Sequence, residues 1–236
     1  MLRSRIIPCL LIHDDGLNKT EGFRPGKYLG DPLNAVKIFN EKEVDELIVL
    51  DIDKTVNREP PNMDVLQSLA NECRMPLCYG GGVKTVEQAV KIISMGVEKV
   101  ALSSAALADF TLCNRIASVI GKQSVVVVLD VKKARWGSDY NVFTHNGTIK
   151  HFKKLSEILD IINKHEIGEV VLNSIDNDGQ QSGYNYELSD LARSKLDVPI
   201  TMLGGAASYE DIKKLISRYK IIGAAAGSLF VFKGRL

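Results

Sequence analysis

Eight short runs rich in Val, Ile and Leu alternate with longer amphipathic stretches along the whole chain, and this alternation restricts the fold more than any other feature. The runs cover 5–12, 46–52, 76–79, 99–103, 124–131, 169–174, 198–203 and 221–225. Between them, 33–42, 63–73, 86–94, 112–120, 155–165, 186–195 and 209–217 carry apolar residues near spacings of three and four, the period of a helix with one buried face. Strand and helix in strict succession predict a parallel α/β fold.

The two halves echo each other. VVVLDV at 126–131 repeats the pattern of IPCLLI at 7–12, VVLNSID at 170–176 that of IVLDID at 48–53, GGA at 204–206 that of GGG at 80–82, and AAGS at 225–228 that of LSSA at 102–105. All four offsets are about 120 residues, and four units used twice give eight, which close naturally into a ring. The expectation is one (β/α)8, TIM-type barrel over 1–236, built from half-barrels of about 1–120 and 121–236. An open doubly wound sheet fits less well, because no GxGxxG follows the first run and the repeat has no explanation there. One segment, 132–150, breaks the rhythm with a Tyr-Asn-Val-Phe-Thr run and an Asn146-Gly147 turn, and predicts a β-hairpin inserted after the fifth strand. The last strand ends near 225, so 229–236 leaves room for only a reduced eighth helix.

Composition excludes several functions. With 45% hydrophobic and 25% charged residues and a net charge of +1, the chain has no overall field for nucleic acid or an anionic membrane. The apolar run at 6–12 contains Pro8 and leads into His13, Asp14 and Asp15 rather than a cleavage site, so it reads as a buried strand of a cytoplasmic protein. Cys9, Cys73, Cys78 and Cys113 form no CxxC pair, and the four histidines are scattered; buried thiols, no metal site and no cofactor are expected.

In such a barrel the chemistry sits where strands end. Four of these ends are small-residue loops, each expected to open a helix: Gly80-Gly81-Gly82, Ser103-Ser104-Ala105, Gly204-Gly205-Ala206 and Gly227-Ser228. Bare amides at a helix start suit phosphate, and two clusters per half predict two anion sites facing each other across the mouth. Asp130 closes the apolar run VVVVL, where burial would tune a carboxylate for proton transfer. Lys19, in the loop after the first strand, is a candidate for contact with phosphate or reacting atoms.

These residues carry a resemblance. RIIPCL, Lys19-Thr20 with Phe23, GDP at 30–32, DELIVLDI at 45–52, YGGGVKT at 79–85, VFTHNG at 142–147 and GEVVLNSIDNDGQQSGY at 168–184 resemble the cyclase subunit of imidazole glycerol phosphate synthase. The resemblance implies a barrel paired with a glutamine amidotransferase subunit that passes ammonia through its centre to a bis-phosphorylated substrate. It places Asp130 on a catalytic aspartate and Lys19 on a loop lysine. It places Gly82, Ser104, Asp178, Gly179, Gly205 and Gly227-Ser228 on or beside phosphate-binding positions, with Gly81, Ser103 and Gly204 adjoining. Arg5, Glu46, Lys99 and Glu169 fall on a charged ring that gates the ammonia entrance.

The chain also departs from that pattern. Leu11 stands where the family has its first catalytic aspartate, and an apolar side chain transfers no proton. With PCLL and the closing GSLFVFKGRL, this resembles the cyclase-like paralogues that act with an amidotransferase-like partner and a separate sugar-modifying enzyme to install an amidine on a surface-polysaccharide sugar. Histidine-pathway ring closure, a non-catalytic barrel that conducts ammonia for a glutaminase, and a related isomerase barrel that needs no ammonia ring remain the competing readings.

Overall fold

The computed structural model describes residues 3–24 and 26–231. In chain order the elements are β1 (Arg5–His13), β2 (Gly16–Lys19), β3 (Lys27–Gly30), α1 (Pro32–Glu41), β4 (Leu47–Asp51), α2 (Met63–Glu72), β5 (Leu77–Gly80), α3 (Val86–Ser94), β6 (Lys99–Leu102), α4 (Ser104–Ala108) and α5 (Thr111–Ile120). There follow β7 (Val125–Lys133), β8 (Tyr140–Thr144), β9 (Ile149–Lys154), α6 (Leu155–Ile162), β10 (Glu169–Ser174), α7 (Tyr186–Lys195), β11 (Ile200–Leu203), α8 (Tyr209–Tyr219), β12 (Gly223–Ala226) and α9 (Ser228–Val231). Eight strands pair in parallel around a closed ring, β1-β4-β5-β6-β7-β10-β11-β12 and back to β1. The eight-stranded barrel expected from the sequence is therefore present.

Each strand sorts its side chains by the period-two rule. In β7, Val125, Val127, Leu129 and Val131 join the large core between strands and helices, whereas Val126 and Val128 enter a second core inside the barrel with Ile7, Cys9, Ile48, Cys78, Ala101, Val171, Leu203 and Ala225. Asp130 continues the inward row. The same alternation carries Arg5 inward at the foot of β1 and Leu11 at its head, and Glu169 and Asn173 at the two ends of β10.

Helix starts are fixed locally. Asp31 caps α1 with Pro32 at its first position, Asn62 caps α2, and Thr85 with Gln88 and Ser208 with Asp211 form capping boxes on α3 and α8. Two small elements escape the sequence patterns. The loop after β1 is itself a hairpin, β2–β3, paired antiparallel to β1, and α4 is a single five-residue turn of helix, too short for periodicity to show. The hairpin after the fifth barrel strand runs to Lys154, four residues further than expected, because β9 keeps pairing back to Asn141. Both halves thus carry an antiparallel extension from their first strand, which deepens the repeat. After the last strand, α9 is described over Ser228–Val231; Phe232 to Leu236, on which the expected reduction of the eighth helix depends, lie outside the described residues.

Candidate active site

A cavity of about 500 Å³ opens at the carboxyl ends of the barrel strands. Ring order decides what faces what across it. Gly81 and Gly82 follow β5 and Ser103 and Ser104 follow β6, while Gly204 and Gly205 follow β11 and Gly227 and Ser228 follow β12, and all eight residues line this one cavity. β5 and β6 stand opposite β11 and β12 in the ring, so the small-residue loops form two pairs on facing walls. Backbone conformation explains the residue type: Gly81 has φ +134°, and a Cβ there would lie 2.6 Å from the Asp51 carbonyl oxygen, while Gly205 has φ +100° and a Cβ would lie 2.1 Å from that of Gly183.

The helix-start expectation holds for only half of these loops. Ser104 opens α4 and Ser228 opens α9, but three residues separate Gly81 and Gly82 from α3, and Gly204 and Gly205 are likewise set back from α8. Those two helix ends are closed by their own caps, Thr85 and Ser208. At the glycine loops, backbone amides would have to meet an anion as part of a turn, without a helix end behind them.

Asp130 faces the cavity from β7, and burial pushes its carboxyl up to about 7. A hydrogen bond donated by Asn173 Nδ2 to its Oδ1, at 3.0 Å, holds it down, and the nearby Asp178 charge adds to the upward push. A carboxyl poised near neutrality can both take and return a proton. Directly across the ring, on β1, Leu11 lines the same cavity beside Leu50 of the neighbouring β4. The wall facing Asp130 at that level is apolar.

The other expected residues divide by what holds them. Asp178 lines the cavity, but its carboxylate accepts from Thr20 Oγ1 (3.1 Å) and Phe23 N (3.4 Å), and its carbonyl from Gly22 N (3.0 Å). It ties the β2–β3 loop to the end of β10, and burial raises its pKa despite these bonds. Gly179 lets the same loop pack close, since a Cβ there would lie 2.9 Å from Glu21 Cα. Lys19 is half-buried in a small cleft next to the main cavity, shared with Asp178, Gly227 and Ser228, and its Nζ is 3.2 Å from Glu21 Oε1.

Sequence reasoning passed over several cavity residues. Asn173 would have emerged from counting inward positions up β10 from Glu169. His13 also lines the cavity; its Nδ1 lies 2.6 Å from Asp53 Oδ1, and this bond, with the Asp53, Asp14 and Asp51 charges, raises the imidazole pKa. Ligand atoms of His13, Asp14 and Asp53 lie within 4.8 Å of one another, but Nδ1 and both Asp53 oxygens are already bonded within the cluster, so it reads as an ion-paired corner of the mouth. Asn146 of the β8–β9 turn reaches across the rim to donate from Nδ2 to the Ile52 carbonyl at 2.9 Å.

At the opposite end of the barrel, Arg5, Glu46, Lys99 and Glu169 come together. Arg5 pairs with Glu46 and with Glu169 (2.6 Å), and Lys99 bonds Glu46 at 2.7 Å and Glu169 at 2.9 Å, so each base touches both acids. Thr201 is an unforeseen fifth member, donating through Oγ1 to Glu169 Oε1. Burial alone would push the Glu169 carboxyl up, but the Arg5 hydrogen bond and the Lys99 and Arg5 charges hold it below the usual carboxylate range. The four cysteines are unpaired, with Cys9, Cys78 and Cys113 buried and Cys73 half-buried. Among the described residues no helix is long and apolar enough to cross a membrane.

The molecule is thus a (β/α)8-barrel protein whose candidate site occupies the carboxyl ends of its strands. More particularly, the chain belongs to the histidine biosynthesis protein family, whose sequence model matches residues 5–236. It is 52% identical over 235 residues to a Vibrio vulnificus protein provisionally named imidazole glycerol phosphate synthase subunit hisF3, covering 100% of this chain and 90% of that one. A Leptospira borgpetersenii protein provisionally named imidazole glycerol phosphate synthase subunit HisF is 52% identical over 234 residues, covering 99% and 92%. A Dehalococcoides mccartyi imidazole glycerol phosphate synthase subunit HisF is 32% identical over 232 residues, covering 98% and 90%.

Proposed function

We propose that the chain is the ammonia-using, cyclase-type synthase subunit of a two-protein assembly, with a glutamine amidotransferase docked at the amino ends of the barrel strands. The observation that carries this reading is the pairing of two features on one barrel axis: an ion-paired ring at the foot and an acid-bearing cavity at the head. Between them the lumen is apolar, lined by Ile7, Ile48, Cys78, Ala101, Val126 and Val171. Neutral ammonia crosses such a lining at low cost, and hydrated ions do not. Arg5, Glu46, Lys99 and Glu169 form the gate, closed when every charge is paired and opened when one base swings aside.

At the head, Gly81, Gly82, Ser103 and Ser104 take one phosphate of the substrate, and Gly204, Gly205, Gly227 and Ser228 take the other. Asp178 and Gly179 act on that second site by fixing the β2–β3 loop, and Lys19 supplies a cation beside it. Asp130 takes the proton released when ammonia adds to an sp2 carbon of the substrate, the carbon's π bond opening onto its heteroatom as the new carbon–nitrogen bond forms. Leu11 supplies no second acid or base, which favours amidine formation on a surface-polysaccharide sugar over imidazole ring closure. The names of the relatives favour the histidine-pathway cyclase instead.

Ammonium salt and the ribulosylformimino substrate of that cyclase decide between the products. No turnover is expected with the purified chain, and turnover at the rate of a cyclase from the same family would reject the amidine reading. The synthase reading itself is tested by mixing the chain with candidate glutaminases. Failure to bind or stimulate any of them would leave the isomerase barrel as the better account. Unchanged product formation by an assembled Asp130→Asn system would leave the non-catalytic conduit.

A further inference from the structure

Asn173 combines two observations that the proposed chemistry does not yet use. The residue is only 7% exposed, and its Oδ1 is buried with no hydrogen-bond partner although the residue lines the cavity. Buried amide oxygens are normally satisfied, so an orphan on a residue that lines a cavity marks a place where a ligand's donor belongs. The orientation of the amide follows from its neighbour. An ionised carboxylate can only accept, so the group that Asn173 turns to Asp130 Oδ1 is the Nδ2 donor, at 3.0 Å, and Oδ1 is left over.

Strand pairing fixes this geometry. Asn173 on β10 stands in register with Asp130 on β7, and both belong to the inward rows of those strands. Gly204, at the end of the next strand, borders the orphan oxygen: a Cβ there would lie 3.4 Å from Oδ1, at contact distance. The other titratable groups acting on Asp130 are Asp178, which raises its pKa, and Cys9, whose thiol is itself pushed up by burial and by the Asp178 and Asp130 charges. None of these gives Oδ1 a donor.

We infer that Asn173 is a positioning residue for the nitrogen nucleophile: its Oδ1 accepts an N–H of ammonia or ammonium while its Nδ2 holds the Asp130 carboxylate beside the same nitrogen. A single amide thereby sets the distance between the nitrogen and the group that takes its proton. An N–H donor is required, so a quaternary ammonium ion of equal charge has no place there. This inference deepens the proposed function and rests on its claim that ammonia reaches Asp130.

The test uses the full chain, labelled with 15N at asparagine, and two probes at equal ionic strength near pH 8: ammonium chloride and tetramethylammonium chloride. The Asn173 side-chain amide signal, assigned from Asn173→Leu or, where that variant does not fold, Asn173→Ser, is expected to move with ammonium and stay still with tetramethylammonium. A signal that moves equally with both, or with neither, overturns the inference. The Asp130 carboxyl carbon gives a second readout: losing the Asn173 donor in the leucine variant should raise its titration midpoint by about one pH unit, a ten-fold gain in proton affinity. An unmoved midpoint in a folded variant also counts against the positioning role. Neither measurement involves a glutaminase. A chain that passes both but couples to no glutaminase keeps the Asn173 site and loses the proposed function, and the reverse result does the opposite.

Discussion

Replacing Asp130 by Asn should make the protein more stable at high pH and much less active at every pH. Burial holds the Asp130 carboxyl at about 7 instead of its ordinary 3.8, so the folded state resists its ionisation. Each ten-fold change in proton affinity is worth about 1.4 kcal/mol, which places the full penalty near 4 kcal/mol. The carboxyl borders a cavity of about 500 Å³ that admits water, and solvent screening there reduces the expected figure to roughly 2 kcal/mol. The direction follows from linkage. Below the ordinary value both states bind the proton and nothing is lost. Between there and about pH 7 the unfolded chain releases its proton first, so stability falls as pH rises, and above about pH 8 the loss is complete. Asparagine keeps the shape and can still accept from Asn173 Nδ2, so it removes the charge without opening a hole. Urea denaturation of both proteins at pH 5, 7 and 9 should show the variant's advantage growing from about 0.8 to roughly 2 kcal/mol. A variant no more stable at pH 9 than at pH 5, relative to the parent, would refute the claim that this carboxyl is kept out of water. Activity of the assembled system should fall by about 10² to 10⁴, the usual worth of a general acid or base.

Glu169→Gln should destabilise the barrel by about 3–5 kcal/mol, because a nearly buried carboxylate that pairs with both Arg5 and Lys99 is lost. The Glu169 carboxyl is held below its ordinary value of 4.5, so its contribution is present above that pH and disappears as the pH falls through the lower folded value; parent and variant melting curves should converge in acid. Gly81→Ala places a Cβ 2.6 Å from the Asp51 carbonyl oxygen at φ +134°, which should cost about 1–3 kcal/mol and abolish thermal protection by inorganic phosphate at that loop, as read by calorimetry. Leu11→Asp should create turnover of the ribulosylformimino substrate where the parent shows none; a folded but inert variant would mean that Leu11 is not what separates this chain from a cyclase.

The barrel was legible because its grammar is local. An inward-outward alternation in 125–131 and a helical period in 86–94 each follow from backbone geometry alone, and their repetition at about 120 residues closed the argument. The charged ring was legible through resemblance: four residues spread from position 5 to 169 say nothing about their meeting until the strands are placed in a ring. What stayed hidden depended on contacts between distant segments. The β2–β3 hairpin has Gly, Leu, Asn and Lys in its first strand, no β-branched run, and draws its order from pairing with β1 and from the Asp178 bonds to Thr20 and Phe23. Asp178 reads from sequence as part of a phosphate loop, yet its carboxylate is occupied by that hairpin. Thr201 and Asn173 are ordinary polar residues in apolar runs, and only the register of β10 against β7 and β11 shows that each completes a charged group on a neighbouring strand.

The repeat also sharpens what Leu11 means. In the echo of 7–12 by 126–131, Leu11 and Asp130 occupy equivalent places, and in the ring their strands β1 and β7 stand opposite each other. The small-residue loops keep the twofold pattern, with two strand ends on each wall, whereas the acid survives on one side only. A substrate with similar anions at both ends could therefore seat in either direction on the loops alone. On the proposed reading, only one direction brings its reacting atoms beneath Asp130 and Asn173; the other brings them against Leu11 and Leu50. A frame that is symmetric in binding and asymmetric in proton transfer must take its orientation from the residues that break the symmetry. The His13–Asp53 pair at the head of β1 and the Asn146 turn over the Ile52 carbonyl both stand on the Leu11 side. On the proposed reading, the groups that would select the direction of binding lie on the wall opposite Asp130.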